Sequence, residues 1–226
     1  MTITLAFDVY GTLIDTHGVV SALEKHAGTK ASEFSRMWRE KQLEYSFRRG
    51  LMQNYENFAV CTSNALDYTN AYFKLTLGEQ DKANLLAVYK VLPTFADVEG
   101  GLAQARKAGL RMFAFSNGSA DAVEALLVNA GIRGYFLGVV SVDEMKSYKP
   151  NPAVYSHFLR KAGAVGADAW LISSNPFDVI GAISSGMRAA WIRRSPDAIF
   201  DPWGIEPTLT ANSLANIAEL IRQNDI

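Results

Sequence analysis

Apolar runs that fit buried strands alternate with helical patterns over much of the chain. The runs occupy residues 3–8, 110–115, 137–140, 169–173 and 189–192. Amphipathic helical patterns occupy residues 97–108, 119–130, 151–162 and 177–186. Gly109 and Gly131 stand where two of these helices should end, because glycine readily adopts the left-handed conformation of a helix C-terminus. The alternation predicts an α/β fold, a doubly wound parallel sheet with helices on both faces.

One long segment lacks any convincing strand. From about Gly18 to Val91 the apolar positions recur with helical spacing, and Pro93 then ends the pattern. We therefore predict an α/β core formed by residues 1–15 and 94–226. Residues 16–93 would be a helical cap, inserted after the first strand and returning to the core beside the point where it leaves.

Composition and charge exclude several classes of protein. The 226 residues are 49% hydrophobic and 20% charged, which is ordinary for a globular chain that buries one sizeable core. The net charge is -1, and no run of Lys or Arg marks a surface for nucleic acid or for a membrane. The sequence therefore favours a small-molecule partner, with no nucleic acid and no membrane.

Two further features bear on the compartment. Cys61 is the only cysteine, which excludes an intrachain disulfide and a cysteine-based metal site. The start MTITLAFDVYG lacks the basic region and long apolar core of a secretory signal, and no apolar stretch is long enough to span a bilayer. We expect a cytoplasmic protein.

Polar residues follow the predicted strands at the edge where such sheets bind ligands. In a doubly wound sheet the crevice lies at the carboxyl ends of the strands, near the point where the strand order reverses. Four polar segments stand at or near those ends: residues 8–12, residues 116–118, Lys149, and residues 173–178. We expect their side chains to converge.

Each of these segments can have either a functional role or a purely structural one. Asp8 can be a nucleophile, a metal ligand or a cap for the following turn. Ser116 and Asn117 can cap a helix or hold an anion at its N-terminus. Lys149 can be a solvated loop residue or the cation that keeps Asp8 ionised. The segment SSNPFD can likewise be only a capped helix start.

Taken together, four motifs carry a specific resemblance. FDVYGTL, FSNG, YKPNPAVY and SSNPFD, in this order and after these strands, look like the four motifs of the haloacid dehalogenase superfamily. The match spans residues 3–15 and 94–192, and it implies a Rossmann-like core with an inserted cap. Tyr10 and the cap stretch MWREKQLEYSFRRGLMQNYENF further resemble the L-2-haloacid dehalogenases.

The resemblance implies a role for each matching position. Asp8 resembles the nucleophile of the family, and a set of polar residues resembles those that hold it, balance its charge or position the hydrolytic water: Thr12, Ser116, Lys149, Tyr155, Ser173, Asn175 and Asp178. Arg39 from the cap, helped by Asn117, resembles the residue that meets the departing halide and the substrate. Residues expected to line the apolar pocket are Tyr10, Leu43, Phe58 and Phe177.

The missing second acid favours cleavage of a carbon–halogen bond. Phosphatases of the superfamily resemble D-x-D-G-T at the first motif, and their second acid protonates a leaving oxygen. A halide leaves without a proton, so Tyr10 suits dehalogenation. Phosphatases also carry a magnesium-binding acid where Ser174 stands, so a hard cation would lack an oxygen ligand. We expect no metal site and no cofactor.

The predicted reaction converts short L-2-haloalkanoates to D-2-hydroxyalkanoates. Asp8 attacks C2 and forms an ester with inversion, and water activated by Asp178 then hydrolyses the ester. A phosphatase of the same superfamily and a catalytically silent member are the alternatives. The resemblance also suggests a homodimer formed through the cap, although burial explains the aromatic stripes of the cap equally well.

Overall fold

The computed structural model describes residues 3–224, and its centre is a six-stranded parallel sheet. The strands are β1 (Thr4–Phe7), β2 (Arg111–Ser116), β3 (Gly138–Ser141), β4 (Ala169–Ser173), β5 (Arg188–Ile192) and β6 (Leu209–Ala211). The predicted α/β class and parallel sheet are confirmed. The five predicted strands lie within one residue of β1 to β5 at each end.

Helices pack around this sheet and fill the long segment after β1. They are α1 (Val20–Ala27), α2 (Ala31–Leu51), α3 (Phe58–Tyr72), α4 (Glu79–Val88), α5 (Val98–Lys107), α6 (Ala120–Asn129), α7 (Pro152–Ala162), α8 (Pro176–Ser184) and α9 (Ile217–Gln223). Gly109 and Gly131 follow α5 and α6 with φ of +72° each, as the sequence predicted. Strand β6 and helix α9 had not been predicted.

The strand order β3-β2-β1-β4-β5-β6 places the first strand at the centre of the sheet. Phe7 at the end of β1 pairs with Ala114 of β2 on one side and with Ile172 of β4 on the other. The strand order reverses between β1 and β4, which is where doubly wound sheets bind their ligands. The loops after these three strands therefore meet at one place.

The chain enters and leaves the helical segment through two adjacent, hydrogen-bonded stretches. The Asp15 amide donates to the Pro93 carbonyl at 2.8 Å, and the Phe95 amide donates to the Leu13 carbonyl at 3.1 Å. This pairing supports our proposal that residues 16–93 form an inserted cap on a core of residues 1–15 and 94–226. Within residues 3–224, no helix is both long enough and apolar enough to cross a membrane.

Candidate active site

Asp8 emerges from the buried end of β1 into a tight turn. Its amide donates to the Ile172 carbonyl at 2.9 Å, so the sheet fixes the backbone from which the Asp8 carboxylate projects. Gly11 has φ of +87°, a conformation that glycine adopts at little cost, and the turn brings Thr12 back toward Asp8. Asp8 is buried, which is costly for a carboxylate unless partners surround it.

The two oxygens of the Asp8 carboxylate have unequal surroundings. Oδ2 accepts hydrogen bonds from Thr12 Oγ1 at 2.8 Å, from Asn175 Nδ2 at 2.8 Å and from Ser173 Oγ at 3.3 Å. Oδ1 accepts only from Lys149 Nζ, at 3.2 Å, among the residues that the structure describes. Because each oxygen offers about two acceptor sites, Oδ2 is saturated and Oδ1 keeps a free lone pair.

Lys149 is the buried cation of the site. Its Nζ donates to Asp178 Oδ2 at 2.8 Å and to the Phe115 carbonyl at 2.9 Å, in addition to Asp8. All three ammonium hydrogens are therefore used. Burial lowers the pKa of Lys149, but Asp178 and Asp8 outweigh it and leave the pKa above its ordinary value. Lys149 stays charged at neutral pH and neutralises part of the two carboxylates.

Asp178 lies in the first turn of α8 and is fully buried. Its Oδ1 accepts from the hydroxyl of Tyr155 at 2.8 Å, and its Oδ2 accepts from Lys149. Burial raises the pKa of Asp178, and the nearby charge of Asp8 raises it further, while Lys149 opposes both. Each oxygen accepts one hydrogen bond, so the Asp178 carboxylate is held in a fixed orientation. Each oxygen still has room for one further donor.

Ser173 and Ser174 tie the loop after β4 to the loop after β1. Ser173 Oγ accepts from the Asn175 amide at 3.1 Å, which orients Asn175 toward Asp8. The Ser174 amide donates to Thr12 Oγ1 at 2.8 Å, and Ser174 Oγ donates to the Gly11 carbonyl at 2.7 Å. Ser174, at the position where phosphatases carry an acid, thus stabilises a loop.

The second motif lies at the end of β2. Ser116 Oγ accepts from the Gly118 amide at 3.1 Å, and Asn117 Oδ1 accepts from the Lys149 amide at 3.0 Å. Helix α6 begins three residues after Asn117, and the side chain of its N-cap residue Ser119 makes no capping hydrogen bond. The amide hydrogens of the first turn are therefore open to an anion.

Arg39 reaches this site from α2. Its Nη2 donates to the Tyr10 carbonyl at 3.2 Å, and its Nη1 donates to Gln42 Oε1 at 2.6 Å. Burial lowers the pKa of Arg39, whereas Tyr89, Asp8 and Tyr10 raise it in part. The guanidinium remains a cation at neutral pH. The structure thus brings Arg39 to the same loop as Asp8.

A cavity of about 340 Å³ opens between the cap and the loops of the core. Tyr10 and Phe58 line it as expected, together with Leu86 and Tyr89 of the cap and with the start of α6 at Gly118 and Ser119. Tyr10 and Phe58 pack with their ring centroids 6.1 Å apart. The cavity is largely apolar, with the uncapped start of α6 in its wall.

Two residues expected in this pocket lie elsewhere. Leu43 is half-buried on α2 and is not among the residues that line the cavity. Phe177 packs against Phe47, with ring centroids 4.9 Å apart, and borders a separate cleft. The reason for the position of Phe177 is helical geometry, because the next residue, Asp178, points into the core and successive helical side chains diverge by about 100°.

Sequence reasoning missed four residues near the site. Gln42 and Thr62 line the cavity and bond to one another, and Gln42 also accepts from Arg39. The spacing of three residues from Arg39 was the only signal for Gln42. Tyr89 faces the cavity from the end of the cap. Gly181 leaves room for the Tyr155 hydroxyl, since a Cβ at this glycine would lie 2.4 Å from it.

Comparison with known proteins defines the class to which this fold and site belong. The model of the haloacid dehalogenase-like hydrolase family matches residues 4–186. The chain is a member of this family. The predicted superfamily is therefore confirmed.

Several relatives are named as dehalogenases of haloacids or haloacetate. The chain is 39% identical over 217 residues to haloacetate dehalogenase H-2 of Moraxella sp. (strain B), covering 96% of each chain. It is 35% identical over 216 residues to (S)-2-haloacid dehalogenase of Pseudomonas sp. (strain YL), covering 96% of this chain and 93% of that protein. The structure of L-2-haloacid dehalogenase from Xanthobacter autotrophicus with chloropropionic acid covalently bound superimposes with a TM-score of 0.92 at 30% identity. That match covers 98% of this chain and 99% of the other.

Proposed function

We propose that this protein hydrolyses short L-2-haloalkanoates to D-2-hydroxyalkanoates through an ester on Asp8. The asymmetry of the Asp8 carboxylate is the observation that carries the proposal. Three donors hold Oδ2 in place, while Oδ1 keeps a free lone pair beside the cationic Lys149. An oriented, ionised carboxylate with one open oxygen is suited to attack carbon.

In the first step, Asp8 Oδ1 forms a bond to C2 of the substrate. The carbon–halogen bond breaks on the opposite side, C2 inverts, and the halide leaves with the bonding electrons. Arg39 and Asn117 are the donors we assign to the halide, because preorganised donors offset the loss of its hydration. The substrate carboxylate fits the open amides at the start of α6, helped by Ser116.

In the second step, water attacks the Cγ carbon of the Asp8 ester. Asp178 accepts the proton of that water, and the bond between Cγ and the original Oδ1 breaks. Oδ1 takes up the proton held by Asp178 as it leaves, so the product departs as a 2-hydroxyacid. The water oxygen remains in the carboxyl of Asp8, which loses its proton to regenerate the carboxylate. Asn175 and Ser173 orient the ester from the Oδ2 side, and Tyr155 with Lys149 holds Asp178 in place.

The phosphatase alternative is less well supported by the same site. A phosphatase needs a group near Asp8 that protonates the leaving oxygen at neutral pH. Burial raises the pKa of Tyr10 to about 12, so this side chain is a poor proton donor in that role. The silent-member alternative does not account for Lys149 and Asp178 being kept buried and ionisable beside Asp8.

Halide release without added metal tests the proposed function. Purified protein with excess chelator should release chloride from L-2-chloropropionate, and it should leave a generic phosphate ester intact. We expect added magnesium to change the rate little, because Lys149 already supplies the cation beside Asp8. Release that stops with chelator and returns with magnesium would overturn the metal-free mechanism, and phosphate release alone would favour the phosphatase.

The resemblance also leads us to infer a homodimer and a cytoplasmic location. Tyr68 and Tyr72 of α3 are exposed and stack with ring centroids 6.4 Å apart, which provides aromatic surface for a second copy. Sedimentation at the mass of one chain would contradict the dimer. The single cysteine, Cys61, fits a reducing compartment.

A further inference from the structure

A chain of hydrogen bonds runs from Arg39 into the interior of the cap. Arg39 Nη1 donates to Gln42 Oε1 at 2.6 Å, and Gln42 Nε2 donates to Thr62 Oγ1 at 2.5 Å. Thr62 Oγ1 in turn donates to the Phe58 carbonyl at 2.8 Å. Gln42 and Thr62 have little solvent exposure, and both also line the cavity between the cap and the core. The hydrogen-bond network therefore joins α2 to α3 along one wall of that cavity.

Each hydrogen bond in this network fixes the orientation of the neighbouring side chain. The Thr62 hydroxyl has one hydrogen, which it donates to Phe58, so its oxygen accepts from Gln42. Gln42 must therefore present its NH₂ group to Thr62 and its carbonyl oxygen to Arg39. A flipped amide would place its NH₂ group against the Arg39 guanidinium, two donors facing one another.

Two hydrogen bonds hold the Arg39 guanidinium and leave its other N–H donors available to the site. Gln42 holds Nη1, and the Tyr10 carbonyl holds Nη2 at 3.2 Å. Within residues 3–224, these are the two hydrogen bonds of the guanidinium, and no carboxylate pairs with it. Because the arginine side chain is long and flexible, removing one of these hydrogen bonds allows the guanidinium to leave its orientation.

We propose that Gln42 and Thr62 are positioning residues that hold the Arg39 guanidinium where the halide leaves. This inference rests on the proposed dehalogenation, because it assigns the halide to Arg39. A purely structural role is the competing explanation, since Trp38 Nε1 also joins α2 to α3 through the Thr62 carbonyl at 2.8 Å. The two explanations differ in how the rate depends on the leaving group.

Thr62→Val is the variant that tests the inference. Valine keeps the shape of threonine but removes the acceptor of Gln42, so Gln42 is free to rotate away from Arg39. We expect the single-turnover rate of halide release from L-2-chloropropionate to fall about 10-fold, by loss of orientation at a halide-binding donor. The loss should be smaller for L-2-bromopropionate, because bromide is more weakly hydrated and needs less stabilisation. The bromide-to-chloride ratio of these single-turnover rates should therefore rise.

Thr69→Val provides a matched control in the same helix. Thr69 is also buried, and its Oγ1 donates to the Ala65 carbonyl at 2.8 Å, the same type of bond that Thr62 makes to Phe58. Thr69 makes no bond to Gln42 within the described chain. We expect Thr69→Val to keep the bromide-to-chloride ratio of the unmodified protein, and Thr62→Ser to restore the ratio that Thr62→Val changes.

The bromide-to-chloride ratio in these variants decides between the positioning role and the purely structural role. An unchanged ratio in folded Thr62→Val, or equal losses in Thr62→Val and Thr69→Val, would overturn the positioning role. A double variant with Arg39→Lys provides a second test. Thr62→Val should change the bromide-to-chloride ratio less in this variant, because the planar guanidinium is already absent. If the unmodified protein releases no halide from either substrate, the proposed function fails, and the inference that rests on it fails with it.

Discussion

Asp8→Asn should lower halide release by at least about 10⁴-fold, because a neutral amide cannot displace a halide from carbon. The variant should remain folded. Its amide oxygen can occupy the position of Oδ2, where Thr12 and Asn175 still donate to it. Initial rates of chloride release, with circular dichroism and a urea unfolding curve, measure both expectations.

Asp15→Asn is the control for this substitution. Asp15 lies in the same loop, but its carboxylate accepts from the His17 amide at 2.9 Å near the surface and does not contact Asp8. We expect it to keep nearly full turnover. A folded Asp8→Asn protein within about 100-fold of the normal rate would remove Asp8 from the role of nucleophile.

Asp178→Asn should also have a large effect on turnover, and it should separate halide release from ester hydrolysis. Asp178→Asn leaves Asp8 able to attack C2 but removes the group that accepts the proton of water. We expect one equivalent of halide to be released per active site, followed by turnover slowed about 10³-fold. Rapid-quench measurement of halide, with the intact mass of the protein, should show the accumulated ester. A slow release with no initial equivalent would place Asp178 in the first step instead.

The raised pKa of Asp178 leads us to expect a specific pH dependence of ester hydrolysis. Burial, the largest cause, raises the pKa of Asp178 above its ordinary value. This burial persists in the ester, in which Asp8 no longer carries a charge. A base is active when ionised, so hydrolysis of the ester should slow as the pH falls through this raised pKa, earlier than for an ordinary aspartate. The halide burst, which does not need Asp178 as a base, should decline less over that range.

Much of the core could be predicted from the sequence because apolar runs, turns and helical spacing agree there. Five strands have clear apolar runs, and parallel strands bring their carboxyl ends together whatever the loops contain. Strand β6 was missed because it is a three-residue strand with mostly solvent-accessible side chains. Helix α9 is also short, so neither segment has a pattern long enough to stand out.

The site itself was only partly predictable. Strand ends identified Asp8, Ser116 and Ser173 as neighbours, but no pattern shows how hydrogen bonds are shared among them. The unequal oxygens of Asp8 and the two bonds of Asp178 depend on three-dimensional geometry. The supporting pair Gln42 and Thr62 lies on two different cap helices, and a buried polar pair has no signal in hydrophobic periodicity.

The fate of the water oxygen in a single turnover tests the covalent mechanism most directly. The protein, in excess over L-2-chloropropionate, should be allowed one turnover in oxygen-18 water, with D-2-chloropropionate as the substrate of the wrong hand. If Asp8 attacks C2 and water then attacks Asp8, the label should be found in the peptide that contains Asp8, while the D-lactate formed should carry none. D-2-chloropropionate should give little or no product, because attack opposite the halogen in a shaped pocket selects one hand. Label in the 2-hydroxyacid after one turnover, with none in Asp8, would show that Asp8 only activates water and would contradict the covalent route.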